Sequence, residues 1–193
     1  MMMRAVCMAG ALVIALAACA SAPVARVVLP APDGPVAEMP ADTPLRLQDV
    51  TLPAYLEDYP VVIGRSGNTL LVSDRVEWGE RPSQGVTRVL RDALAQRLGP
   101  SGVLLAGERR ADAAVLHVEF LALDPAAAQL RLDARWSWSC PARAPGGSGR
   151  KQLREPVQAA TAAAVAAATT RALSQLADVL ATEVRCPGAA TQG

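Results

Sequence analysis

Val115 to Leu123, Val-Leu-His-Val-Glu-Phe-Leu-Ala-Leu, and Gln129 to Ser139, Gln-Leu-Arg-Leu-Asp-Ala-Arg-Trp-Ser-Trp-Ser, are the two stretches from which the fold is read. Leu116, Val118 and Phe120 alternate with polar residues in the first, and Leu130, Leu132, Ala134, Trp136 and Trp138 do so in the second. A period of two predicts a pair of half-buried strands, and Asp124-Pro125 predicts the turn between them. Facing the two apolar sets together predicts a register with Glu119 opposite Arg131 and His117 opposite Asp133. One face of this pair is apolar and needs a cover.

Two amphipathic helices can supply it. Val86, Val89, Leu90, Ala93, Leu94 and Leu98 recur at three and four, behind Ser83 as an expected cap and ahead of Gly99-Pro100 as a stop. Gly146 to Gly149 is expected to be a loop, after which Pro156 should open an Ala-rich helix. Its buried stripe would be Val165, Leu173, Leu176, Leu180 and Val184, ending at Cys186-Pro187. Upstream, Val61 to Ile63 and Thr69 to Val72 flank Arg65-Ser66-Gly67-Asn68 as a hairpin. Leu45 to Val50 predicts a further strand, and Val27-Val28-Leu29 a short edge strand. Together these elements predict an α/β fold: one domain with a mixed, mostly antiparallel sheet and two main helices packed on it.

The amino terminus carries an address. Met1 to Arg4 is short and basic, Ala5 to Ala18 is apolar but too short for a permanent span, and Leu16-Ala17-Ala18-Cys19 has the form of a lipobox. Residues 1–18 are expected to be a lipoprotein signal peptide, and Cys19 to become the lipidated first residue, carrying diacylglycerol on sulfur and an acyl group such as palmitate on its amine. Two or three acyl chains, at about 0.8 kcal/mol per buried CH₂, make a stable anchor. Ala20 lacks the aspartate used for inner-membrane retention in enteric-type bacteria, which points to the outer membrane, facing the periplasm. Residues 19–44, with six prolines, predict an extended tether, residues 45–186 the domain, and residues 187–193 a flexible tail.

Without residues 1–18 the 193-residue chain retains 175, enough for one domain with a proper core. Its 19 basic and 18 acidic residues nearly cancel, so bulk charge gives no reason to expect nucleic acid. Once Cys7 leaves with the signal and Cys19 is acylated, Cys140 and Cys186 are the thiols left in an oxidising compartment, and a disulfide between them is expected.

Catalytic chemistry finds little footing. The single histidine, His117, lies on a strand beside Glu119, with no serine elbow or other nucleophile motif near it. No cysteine, histidine or carboxylate spacing matches a zinc or calcium site, and the glycine-rich segments lack the lysine of a phosphate loop. No catalytic residue, metal or diffusible cofactor is therefore assigned. Trp136 and Trp138 fit a core, whereas Trp78, in the polar stretch Arg75 to Arg81, is open to a contact role.

The order of parts has a likeness. A lipobox, a short strand, Leu52-Pro53-Ala54-Tyr55-Leu56, a hairpin, Trp78-Gly79-Glu80, a Leu90/Leu94/Leu98 helix, a central strand pair and an Ala-rich final helix resemble the ABC-type transport auxiliary lipoproteins, the PqiC-like family. The resemblance implies an outer-membrane lipoprotein that docks with an MCE-domain membrane protein and its inner-membrane ABC transporter, serving as docking or conduit part in intermembrane phospholipid transport. Tyr55, Trp78 and Glu80, with the polar strand face, are the expected partner contacts, and self-association is permitted. Val27-Val28-Leu29 stands where the family has a tyrosine-rich first strand, and the cysteine pair is not expected across it. A structural or assembly lipoprotein for an outer-membrane secretion pore is the alternative, and a periplasmic hydrolase resting on His117 a third.

Overall fold

The computed structural model describes residues 23–36, 43–126 and 128–186. Cys19, the signal segment and the tail 187–193 lie outside them. In chain order the elements are β1 (Ala25–Val27), β2 (Leu45–Leu47), a 3-10 turn (Ala54–Leu56), β3 (Pro60–Ser66), β4 (Thr69–Trp78), α1 (Pro82–Leu98), β5 (Ala114–Ala126), β6 (Gln129–Ser139), β7 (Gly147–Pro156) and α2 (Ala162–Glu183). The domain is the expected α/β arrangement, with its strands divided between two sheets, β1-β4-β3 and β2-β5-β6-β7. Pairing is antiparallel except for β1 on β4 and β2 on β5.

β5 and β6 form the centre, in a register that corrects the expected one. His117 pairs with Ser137, Glu119 with Arg135 and Asp124 with Arg131. The chain does not turn at Asp124-Pro125 but runs on to Ala126, opposite Gln129, with Ala128 at φ 61°. A bulge at Leu121 inserts one residue into β5, which moves Leu123 to the apolar side with Phe120 and sends Asp124 to the other face. Turn position and bulge together displace the pairing by several residues. The alternation itself holds: Leu116, Val118, Phe120, Leu130, Leu132, Ala134 and Trp136 are all buried.

Gly147 to Gly149 belong to β7 rather than to a loop. They sit across from Trp138 and Trp136, and a Cβ on either Gly147 or Gly149 would run into the facing indole. Glycine is needed there for close approach, not for turning. Pro156 likewise ends β7 instead of opening the helix, which starts after Thr161, whose hydroxyl accepts the Ala164 N–H at 3.3 Å. Helix α1 begins with Pro82 in its first turn and has no side-chain cap. Ser83 instead donates to Glu57 Oε2 at 3.1 Å, joining α1 to the 3-10 turn. Its stop is as expected, with Gly99 at φ 79°.

Both helices cover the apolar face of the large sheet. Val89, Leu90, Ala93 and Leu94 of α1 and Val165, Leu173, Leu176 and Leu180 of α2 are buried, whereas Val184 is partly exposed beyond the helix end. The alanines 166, 168, 172 and 177 are buried as well, letting α2 approach its neighbours closely. Arg97 of α1 and Asp178 of α2 close the helix pair at 2.6 Å.

The segment expected to be a tether is in part built into the domain. β1 is an edge strand two residues upstream of the expected Val27–Leu29, and Leu29 and Pro32 are buried. Three side chains hold this segment by its carbonyls: Arg88 donates to Leu29, Thr170 to Pro30 and Gln96 to Pro32.

Candidate functional site

Residues around the 3-10 turn, the end of β4 and the start of α1 enclose a narrow apolar cavity of about 40 Å³. Leu52, Leu56, Val62, Trp78, Leu123 and Val165 line it, with Glu80 among the few polar groups. Ligand pockets for whole small molecules run to about 300 Å³ or more. This space is too small to house a phospholipid.

Of the three expected contact residues, Trp78 and Glu80 line this cavity and Tyr55 does not, and each is engaged within the chain. Trp78 lines it and is half-buried. Glu80 accepts from Arg88 Nη2 at 2.5 Å, and that guanidinium also holds the Leu29 carbonyl. The ion pair therefore fastens the amino-terminal segment. Tyr55, next to cavity-lining Leu56, donates its hydroxyl to Asp124 Oδ1 at 3.0 Å.

Asp124 is the residue that the sequence did not single out. Its carboxylate is fully buried on the face opposite the helices and receives Arg65 Nε at 2.8 Å, with Arg131 Nη2 at 3.8 Å. The Arg65 guanidinium also stands over the Tyr55 ring, 5.3 Å from its centroid. Burial, then the charge of Asp124 and its hydrogen bond, push the Tyr55 hydroxyl above its ordinary pKa, so it stays a donor. Four groups from the 3-10 turn, β3, β5 and β6 thus lock the small sheet to the central hairpin. The motif Asp-Pro resembles a turn in sequence, and its partners lie 59 and 69 residues away, beyond the reach of local spacing.

The outward face of the large sheet is polar and open. His117, Glu119, Arg135, Ser137, Ser148 and Arg150 line a shallow concavity there. Arg135 pairs with Glu119, and Arg150 with Asp133, in contacts of 2.6 and 2.8 Å. The Arg150 hydrogen bond lowers the Asp133 pKa below the usual carboxylate range. His117 is exposed, and the side chain across from it is Ser137 rather than the carboxylate that a catalytic pairing with Asp133 would need. Among the described residues no three metal-ligating side chains converge, and no helix is long and apolar enough to cross a membrane.

Cys140 and Cys186 form a disulfide with Cα atoms 5.6 Å apart, tying the end of β6 to the segment after α2. Trp138 Nε1 donates to the Arg185 carbonyl at 3.3 Å beside it.

Comparison with known proteins follows this geometry. Among solved structures, that of an uncharacterized protein aligns with a TM-score of 0.69 at 16% identity, over 84% of this chain and 99% of its own. A protein from Xanthomonas campestris aligns at 0.58 and 17% identity, over 82% and 92%. At these identities the likeness is one of fold. No curated protein matches by sequence. The model of the ABC-type transport auxiliary lipoprotein component matches residues 28–181, from just after β1 to the last turn of α2, and the chain belongs to that family.

Proposed function

We propose that this protein is an outer-membrane lipoprotein, anchored through Cys19 and facing the periplasm, that docks an MCE-domain membrane protein of an ABC-type system moving phospholipid between membranes. The family match over residues 28–181 carries the reading, since it covers nearly all of the folded domain and names a transport auxiliary part. The cavity beside Trp78, at about 40 Å³, is too small to hold a lipid, which favours the docking role over a conduit through that cavity. Docking falls to the polar face of β5, β6 and β7, where charged side chains are exposed on regular strands.

Tyr55 supports this role by joining the small sheet to the central hairpin, and Glu80, beside Trp78, by fastening the amino-terminal segment. A partner surface built from exposed charges would give salt-sensitive association. Photo-crosslinking from Ser137 in cells tests the assignment: capture of an MCE-domain protein is expected, and capture of a secretion pore instead would favour the assembly alternative. A His117→Ala chain is expected to function as the parent does. Loss of function without loss of folding would revive a hydrolase.

A further inference from the structure

The β3–β4 hairpin ends in a run that a solvated hairpin does not need. Leu70, Leu71 and Val72 are consecutive, and Leu71 and Val72 are 50% and 51% exposed although they point to opposite faces of β4. Leu71 lies over Gly64 of β3, so no side chain from the partner strand covers it. A strand end solvated on one face alternates polar with apolar residues, whereas Leu71 and Val72 expose apolar side chains on both faces.

The course of β1 supplies the occupant. β1 runs parallel to β4, with Ala25 beside Val76, so the chain preceding Ala25 sets off toward the Thr69 end of β4, which is the hairpin tip. Six Cα–Cα steps join Cys19 to Ala25. At no more than about 3.6 Å each, they keep an acylated Cys19 within about 22 Å of β1. Val76 to Leu70 is also six steps, about 20 Å of strand. The bound on the anchor's reach therefore matches the length of β4 between Val76 and Leu70.

We propose that the tip of this hairpin, through Leu71 and Val72, rests in the interfacial region of the leaflet that holds the chain's own acyl anchor. This inference rests on lipidation at Cys19 as proposed above. Its effect is orientation: the domain is held by lipid and hairpin together, with the Ala114 end of the 13-residue β5 directed away from the leaflet. Apolar contact of this kind adds to an acyl anchor in proportion to the buried area.

The test uses the full lipidated chain in phosphatidylethanolamine/phosphatidylglycerol vesicles, with one cysteine added at Leu71→Cys or, as a far control, at Arg109→Cys, each carrying a nitroxide. Collision with oxygen and with a water-soluble nickel chelate is compared by electron paramagnetic resonance. Leu71→Cys is expected to be shielded from nickel several-fold relative to Arg109→Cys and to favour oxygen. Equal access to nickel at the two positions in protein that floats with the vesicles overturns the hairpin contact and leaves the anchor standing. Protein that does not float overturns both. Shielding of Leu71→Cys that persists in detergent-free solution without vesicles marks a protein contact at the tip and overturns the lipid assignment.

Discussion

Asp124 shows how one side chain can hold two sheets together. Its carboxylate is fully buried, whereas Arg65 keeps a quarter of its side chain in solvent, so the two partners are not equivalent. Arg65→Ala leaves a buried charge with only the Tyr55 hydroxyl and the more distant Arg131, and is expected to destabilise the domain by about 3 kcal/mol. Asp124→Ala releases Arg65 toward water and should destabilise it less. Urea unfolding of the two variants checks the order, and a larger loss for Asp124→Ala would contradict it. On the surface, Asp133 is held below the usual carboxylate range by Arg150, so its unfolded pKa is the higher of the two. Its contribution is present above the unfolded value and is lost as pH falls through the folded one. Asp133→Asn should therefore lower stability slightly at neutral pH and flatten the acid limb of the stability curve, with no effect well below the folded value.

At the scale of elements, β7 carries the lesson about legibility. Its sequence, Gly147 to Pro156, shows no apolar alternation because it is an edge strand with one face open, and its inward positions are Leu153 and an ion-paired Glu155. Only the facing tryptophans explain its glycines, and those lie on another strand. Gly149→Ala, which would bring a Cβ to 2.5 Å from the Trp136 ring, is expected to cost about 1–3 kcal/mol by overpacking. Thermal unfolding checks this, and an unchanged midpoint would show that the indole can move aside. By contrast, the period-two and helical patterns of β5, β6, α1 and α2 were legible, since each buries its own apolar stripe against whatever lies behind it. Register was not, because the bulge at Leu121 and the extension of β5 past Pro125 depend on how Asp124 is satisfied across the fold. The Cys140–Cys186 bond could be anticipated from compartment and number alone. Its loop of 46 residues restricts the unfolded chain by about 4 kcal/mol, so Cys140→Ser with Cys186→Ser should lower stability by up to that amount in denaturant titration.

For the whole molecule, the candidate site was legible in part. Trp78, Glu80 and Tyr55 were picked out by resemblance; Trp78 and Glu80 share a small cavity, whereas Tyr55 is turned to Asp124 at a locked junction, and all three brace the fold. On the proposed reading the open polar face of the large sheet is the docking surface, and an anchor at Cys19 would limit how far that face stands from the membrane. The most direct test of a lipid-anchored docking subunit is mass spectrometry of what co-purifies with the full-length protein from detergent-extracted membranes, beside a Cys19→Ala control. The account predicts an MCE-domain protein with the parent chain and its marked loss from the membrane fraction with Cys19→Ala; a chain that neither sediments with membranes nor brings down any MCE-domain protein would contradict it.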